Sequence, residues 1–263
     1  NPHYYNYKER MKKLLLSFVL AMAFGAVYAN DYTQYVNPFI GTQTDDTGAL
    51  SGSTFPGATM PQGMVQLSPE TENNVTWDPC SGYDYNKNKI YGFTHTHLSG
   101  TGAGDLYDIS FLPVTYPLRK AEKPLGVHSM FSHEREECEA GYYRVHLDSY
   151  NIDVELTATE RCGIQRYTYP TDTATVLLNL AKAMNWDATT DTHIAVVDSF
   201  TIEGYRHSNG WARGQQVFFR TRFSRPISTF KCENAMIMRD GNIRMKTGII
   251  EITFTLNESR ELT

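Results

Sequence analysis

Tyr143-Arg-Val-His-Leu147 and the nearby stretch Ile152-Asp-Val-Glu-Leu-Thr-Ala158 both alternate apolar and polar side chains. A period of two places the apolar side chains on one face of an extended strand, which is the pattern of a half-buried β-strand. Tyr150-Asn151 lies between the two runs and suits a tight turn. The segment therefore predicts a pair of neighbouring antiparallel strands.

Similar alternating runs continue towards the C-terminus, separated by Gly, Asn, Asp and Pro. They cover residues 163–169, 175–180, 193–197, 201–206, 216–223 and 249–256. Residues 31–115 are rich in Gly, Pro, Thr, Ser and Asn, which predicts loops with brief strands. No segment after residue 29 shows a long helical stripe. We therefore predict an all-β fold, an antiparallel β-sandwich with two large sheets.

The N-terminal segment has the features of a secretory signal peptide. Met11 precedes Lys12-Lys13, an apolar run to Val27 and the small-residue pattern Val27-Tyr28-Ala29. We predict a signal peptide at 11–29, upstream sequence foreign to the protein at 1–10, and the β-sandwich at 31–263. A membrane anchor is the alternative, but the apolar run is shorter than the roughly 18–20 residues that a spanning helix needs. The protein is expected to be exported, periplasmic or extracellular, with no membrane span in the mature chain.

Charge and composition narrow the classes of partner. Lys and Arg number 24 against 29 Asp and Glu, a net charge of −5, and there is no basic tract. Nucleic acid and anionic membranes are therefore poor partners. The aromatic content of 13% suits β-structure, and it also suits sugar binding, where aromatic faces cover pyranose rings.

The cysteines leave two alternatives open. Cys80, Cys138, Cys162 and Cys232 form an even set in an exported chain, which permits disulfides in three connectivities. Buried unpaired thiols are the other alternative. No pair has the spacing of a metal site.

The clearest candidate for a binding segment is Gly92-Phe-Thr-His-Thr-His-Leu-Ser-Gly-Thr-Gly-Ala-Gly-Asp105. His95 and His97 project to one face of an extended strand, and the glycines let the backbone bend close to a ligand. The imidazoles could bind a metal with further donors, bind a sugar through one free nitrogen each, or tie loops to backbone carbonyls. We expect Asp105 and Asp108 to hold loops through backbone amides.

Two tryptophans lie in polar, glycine-bounded loops. Trp77 in Trp77-Asp-Pro-Cys-Ser-Gly-Tyr83 is a candidate for stacking on a sugar ring; alternatively it fills the base of its loop. Trp211 follows Arg206 and His207, and these three side chains could line a cleft. An exposed hairpin loop is the alternative there.

A complete catalytic set is not recognisable in the sequence. Glycosidic cleavage needs two carboxylates facing each other across the substrate. No spacing selects such a pair from the candidates Asp78, Asp84, Asp105 and Glu160, and the Gly-x-Ser-x-Gly nucleophile motif does not occur. The residues indicate a binding surface.

These motifs resemble glycoside hydrolase family 92, the exo-acting α-mannosidases abundant in gut Bacteroidetes. The resemblance covers nearly the whole mature chain. It rests on Tyr35-Val-Asn-Pro-Phe-Ile-Gly-Thr42, Thr54-Phe-Pro-Gly-Ala-Thr59, Gly63-Met-Val-Gln-Leu-Ser-Pro69, Cys80-Ser-Gly-Tyr83, the histidine segment, Val154-Glu-Leu-Thr-Ala-Thr-Glu-Arg161 and the region around Ser208-Asn-Gly-Trp211.

The resemblance implies the family's N-terminal sandwich, of galactose-mutarotase-like type, packed in the intact protein against a C-terminal (α/α)₆ barrel. It implies a calcium-dependent, inverting enzyme acting on mannose-containing glycans. The general acid, the water-activating carboxylates and the Ca²⁺ ligands would come mainly from the barrel, and no catalytic residue is assigned here. The sandwich would contribute substrate-recognition loops, and the resemblance assigns this role to Trp77, His95 and His97. Asp105, at the end of the histidine segment, is a further candidate for binding substrate.

The chain departs from the family pattern in its acidic loop at 43–53, at Gln62, where an aromatic is common, and at Pro79 and Asp84, where tryptophan and histidine are common. These changes bear on linkage preference. The alternating runs stop near Leu256, and we expect a truncated domain that is inactive alone. A free-standing carbohydrate-binding module and a purely structural domain are the alternatives.

Overall fold

The computed structural model describes residues 10, 12, 32–45, 52–72, 79–115, 126–182, 187–232, 236–237, 243–245 and 248–263. The chain divides into two compact units, Asn1–Tyr35 and Val36–Thr263. The described part of the first unit includes a 3₁₀ turn at Thr33–Tyr35. Of the predicted signal peptide, only Lys12 is among the described residues. Among the described residues, no helical segment has both the length and the hydrophobicity that a transmembrane span requires.

The second unit consists mainly of short strands. In chain order they are β1 (Ala58–Thr59), β2 (Gln66–Glu70), β3 (Lys89–Ile90), β4 (Gly92–Thr94), β5 (Ser110–Val114), β6 (Ser129–Met130), β7 (Glu136–Glu139), β8 (Tyr142–Leu147), β9 (Ile152–Ala158), β10 (Gly163–Thr168), β11 (Thr173–Asn179), β12 (Ala188–Asp198), β13 (Thr201–Asn209), β14 (Gln215–Arg222), β15 (Ile227–Cys232), β16 (Met236–Ile237), β17 (Ile243–Met245), β18 (Ile249–Thr255) and β19 (Glu261–Leu262). A 3₁₀ turn at His133–Arg135 precedes β7.

The strands form antiparallel sheets. The largest has seven strands in the order β1-β2-β4-β5-β11-β18-β15. Two five-stranded sheets follow the orders β19-β10-β9-β8-β7 and β14-β13-β12-β17-β16, and β3 pairs with β6. The prediction of an all-β, antiparallel fold is confirmed.

The strand pair that the sequence marks most clearly has the predicted register. Val145 of β8 lies opposite Val154 of β9, and the apolar side chains of both strands are buried. Asn151 completes the turn with a φ of 54°, in the left-handed region that asparagine tolerates. The polar faces point outward, where Arg166 of β10 donates two hydrogen bonds of 2.7 Å to Glu155.

The centre of the large sheet is buried on both faces. Residues 174–178 of β11 are all buried, and β11 pairs with β5 on one side and β18 on the other. One hydrophobic core extends from these strands to the inner faces of the five-stranded sheets.

The structure shows no disulfide among Cys80, Cys138 and Cys162, which are free thiols. Cys80 is buried, Cys138 is half-buried and Cys162 is exposed. The alternative of a buried, unpaired thiol is confirmed for Cys80, whereas Cys138 and Cys162 are unpaired without being buried.

Candidate functional site

The predicted binding segment comprises β4 and most of the loop that leads to β5, and the backbone of this loop turns sharply. Gly100 and Gly102 have φ of 69° and 66°, and Leu106, Tyr107 and Ile109 also have positive φ, of 75°, 70° and 57°. Left-handed conformations are unfavourable for leucine, tyrosine and above all β-branched isoleucine, and they cluster at functional sites. Trp77 lies outside the described residues, so its stacking role stays a prediction.

His97 is buried and both of its ring nitrogens are engaged. Nδ1 lies 2.7 Å from the carbonyl oxygen of Gln66, and Nε2 lies 2.8 Å from the hydroxyl of Thr94. A carbonyl only accepts hydrogen bonds, so Nδ1 carries the proton and Nε2 accepts from Thr94. The ring packs between Phe55 and Tyr107. In this geometry His97 anchors the loop to β2.

His95 presents a hydrogen-bond acceptor to a cavity. Its Nδ1 donates to the carbonyl oxygen of Ile109 at 2.7 Å, which leaves Nε2 as an acceptor. Nε2 lies 3.4 Å from the amide nitrogen of Gln165, and the ring lines a cavity of about 340 Å³. Burial lowers the pKa of His95, so its imidazole is neutral at neutral pH.

Asp105 fastens two loops together. Its carboxylate accepts from the backbone nitrogen of Leu106 at 2.9 Å, and from the backbone nitrogen of Trp211 and the side-chain amide of Gln215, each at 3.1 Å. Gly210 lies so close that a Cβ there would stand 2.2 Å from the carboxylate. The predicted loop-holding role of Asp105 is confirmed.

We define the loop cluster as residues 52–54, 98–106 and 210–214. The amide of Gly100 donates to the carbonyl of Ser53 at 2.7 Å, and Asp105 joins the second and third loops. Trp211 is 60% exposed, which makes it the large apolar side chain that this cluster offers to solvent.

Beneath the loop cluster lies a buried ion cluster that the sequence analysis missed. The guanidinium of Arg206 binds Asp108 and Asp187, each at 2.6 Å, and Thr189 at 3.1 Å. The hydroxyl of Thr96 donates to the other oxygen of Asp108 at 2.7 Å. The cluster ties β13 to the segment that carries both histidines. Its one signal in the sequence is an arginine on the face of β13 that otherwise carries Ile202, Gly204 and Ser208.

Three carboxylate candidates for catalysis remain, and of these Glu160 is exposed in the turn between β9 and β10. Asp84 accepts hydrogen bonds from Thr44 and from the backbone of Asn86, whereas Asp78 is not among the described residues. No group of three or more His, Cys, Asp or Glu residues in the described ranges is placed to hold a metal. These residues therefore do not fit a Ca²⁺ site, and calcium on a further domain stays a prediction.

The buried imidazole of His97 leads to a pH-dependent stability. Burial lowers the pKa of His97 to about 4, against an ordinary value of 6.5. Between these values the unfolded chain binds a proton that the folded chain does not. The free energy of unfolding should therefore fall by about 3 kcal/mol as the pH drops from 6.5 to 4. Urea titrations across this range measure the slope.

The variant His97→Gln is the control, because it has no imidazole to protonate. Carboxylates that titrate in the same range contribute equally to both proteins. The difference between the two slopes therefore isolates His97. Parallel slopes would contradict the assignment of a buried, neutral His97.

The glycosyl hydrolase family 92 N-terminal domain matches residues 35–262. The chain belongs to family 92. Its fold is similar to that of the family 92 α-mannosidase BT3965 from Bacteroides thetaiotaomicron, solved in complex with mannoimidazole, with 30% identity and a TM-score of 0.77. That alignment covers 88% of this chain and 31% of BT3965. The fold also matches the inverting mannosidase BT2199 from the same organism, at 21% identity and a TM-score of 0.72, over 89% of this chain and 31% of BT2199.

A curated relative also matches the chain. It is described as an uncharacterized secreted glycosidase from Arthroderma benhamiae, and it is 25% identical over 172 residues. The match covers 63% of this chain and 21% of that protein. The chain thus spans less than a third of the length of these family 92 structures and of this relative.

Proposed function

We propose that this chain is the N-terminal, substrate-recognition domain of an exported, calcium-dependent, inverting exo-α-mannosidase acting on mannose-containing glycans. The observation that carries the proposal is the family 92 match over residues 35–262, together with the similarity to an α-mannosidase at a TM-score of 0.77. The signal-like sequence at 11–29 and the relative described as secreted support export.

We assign the catalytic groups to a further domain of the full-length protein. An inverting glycosidase needs an acid and a base on opposite sides of the bond, with carboxyl groups about 6.5–9.5 Å apart. The carboxylates of Asp84 and Asp105 instead hold backbone turns in this domain. We therefore place the acid, the base and the Ca²⁺ ligands on a C-terminal (α/α)₆ domain, and expect the chain alone to be inactive.

The loop cluster is the part of the domain that we assign to the glycan. Trp211 offers an exposed aromatic face beside a glycine turn, and such a face suits the apolar side of a sugar ring. In this proposal Asp105 positions Trp211, and His95 and His97 hold the turn. Trp77 is proposed to stack on the same ligand.

Replacing Trp211 by alanine in the full-length enzyme should lower kcat/KM about fivefold, since loss of one ring contact costs on the order of 1 kcal/mol. Kinetics on an α-linked mannobiose measure the effect. Phe200→Ala is the control, because Phe200 is a partly exposed aromatic in the turn before β13, whereas Trp211 follows the end of that strand. Equal kinetics for wild type and Trp211→Ala would favour a purely structural domain.

Experiments on the 263-residue chain distinguish the recognition domain of a larger enzyme from a free-standing carbohydrate-binding module. The exposed Trp211 is also what a free-standing carbohydrate-binding module would display. Calorimetry with millimolar mannose tests that alternative, while an assay for released mannose tests the expected inactivity. Saturable binding favours the module, and hydrolysis by the chain alone would contradict the placement of the catalytic groups.

A further inference from the structure

Strand β10 has an open edge over most of its length. It pairs with β9 from Gly163 to Thr168, but β19 covers only Tyr167 and Thr168. The amide of Tyr169 donates to Arg260, so the backbone groups of residues 167, 165 and 163 point to the same side as β19. Gly163 and Gln165 therefore direct their N–H and C=O groups to an edge where the described residues supply no strand.

Strand β14 has a second open edge. It is the outermost strand of its sheet and pairs with β13 alone among the described strands. The amide of Phe223 donates to Phe200 on the β13 side, so the backbone groups of Arg220 and Arg222 point the other way. Exposed edges of this kind template the addition of another strand.

The two open edges line the same cavity. Residues 161–165 and 217–223 lie along the cavity of about 340 Å³, with His95, Ile109 and Phe111 also in its lining. We call the space between the edges of β10 and β14 the strand slot. Thr263 belongs to its lining, so β19 points into the slot.

The end of β19 shows that one strand fits between the two edges. On one side Leu262 pairs with Tyr167 of β10. On the other side the carbonyl of Thr263 accepts from the amide of Ser224, two residues beyond β14, at 2.8 Å. A single strand therefore already bonds both sides at this end.

We propose that the strand slot is filled by an extended segment that continues β19, namely the polypeptide following Thr263 in the full-length protein. This segment would run antiparallel to both β10 and β14 and join the two five-stranded sheets into one. Support for a longer protein comes from family 92 structures of which this chain covers 31%. The inference does not depend on mannosidase activity.

The register of β19 predicts which residues of the added segment are apolar and which are polar. Leu262 is fully buried and Thr263 is exposed, and strand side chains alternate between faces. The first and third residues after Thr263 should therefore point inward, opposite Gln165 and Gly163. Because Phe111 and Ile109 line the interior, those two residues should be apolar, and the residue between them polar.

Cys162 provides the test, because its exposed thiol lines the slot. The 263-residue chain is compared with the same chain carrying the next ten residues of its own gene. We expect N-ethylmaleimide to modify Cys162 at least tenfold more slowly in the extended chain. Hydrogen exchange should slow in peptides covering residues 163–165 and 220–222.

Cys138 is the matched control, since β7 forms the opposite edge of the β10 sheet. Its reaction rate should be the same in both chains. Unchanged labelling of Cys162 and unchanged exchange in a folded extended chain would overturn the proposal. A stop codon directly after Thr263 would overturn it as well. Neither result tests the proposed mannosidase function.

Discussion

Replacing Arg206 by leucine should lower the free energy of unfolding by about 3–5 kcal/mol, because the carboxylates of Asp108 and Asp187 would stay buried without their counter-charge. The side chain of Arg206 is fully buried, and it bonds both carboxylates at 2.6 Å. Since small domains are stable by only about 5–15 kcal/mol, much of the folding free energy would be lost. Urea denaturation monitored by tryptophan fluorescence measures the change in midpoint and slope.

Arg220→Leu on the neighbouring strand is the matched control. Arg220 lies 3.6 Å from Glu203, and both side chains are about half exposed, so the loss should stay below about 1 kcal/mol. Arg206→Lys should fall between the two variants, because one ammonium group cannot bridge two carboxylates as a guanidinium does. An effect of Arg206→Leu as small as that of Arg220→Leu would contradict the assignment of a buried ion cluster.

Alternation predicted the strands that have one buried and one exposed face. The run at 152–158 is β9 as observed, and the run at 216–223 corresponds to β14 within one residue. In such strands the period of two is written directly into the residue types. The run at 193–197 was too short, because β12 continues beyond its apolar part through pairing with β13.

Strands without alternation were harder to predict. All residues of β5 are buried and the strand contains Pro113, so neither periodicity nor composition marks it clearly. Strand β7 carries glutamates at residues 136, 137 and 139, and pairs with β8 at the edge of its sheet. Its place depends on a neighbouring strand, which local sequence does not specify.

In the candidate site, too, some features could be predicted from the sequence and others could not. The glycine-bounded segment with His95, His97 and Asp105 was recognisable from residue types alone. The bonds that determine what each side chain can do come from distant parts of the chain. His97 bonds Gln66, Asp105 bonds Trp211, and Arg206 bonds Asp108 across 98 positions. Spacing in the sequence carries no information on contacts of that length.

Gly204→Ala should destabilise the domain by about 3 kcal/mol or more, because the new methyl group has no space. A Cβ at Gly204 would stand 2.2 Å from the carbonyl oxygen of His193 on β12 and 3.0 Å from the ring of Phe219 on β14. The first obstacle is backbone in the neighbouring strand, so relief requires opening the β12–β13 ladder. Arg206 lies two residues further along β13, and the same shift would lengthen its bonds to both carboxylates.

Urea denaturation compares this variant with Gly126→Ala, where a Cβ would meet no heavy atom within 4 Å. That control should change stability by no more than about 1 kcal/mol, since the methyl group there only restricts the unfolded chain. Hydrogen exchange should locate the damage from Gly204→Ala in the peptides of β12 and β13. Wild-type stability of both variants would contradict this expectation. The lack of a side chain at Gly204 would then not be what allows β12 to lie so close to β13, and the sheet that carries Arg206 would be more deformable than its packing implies.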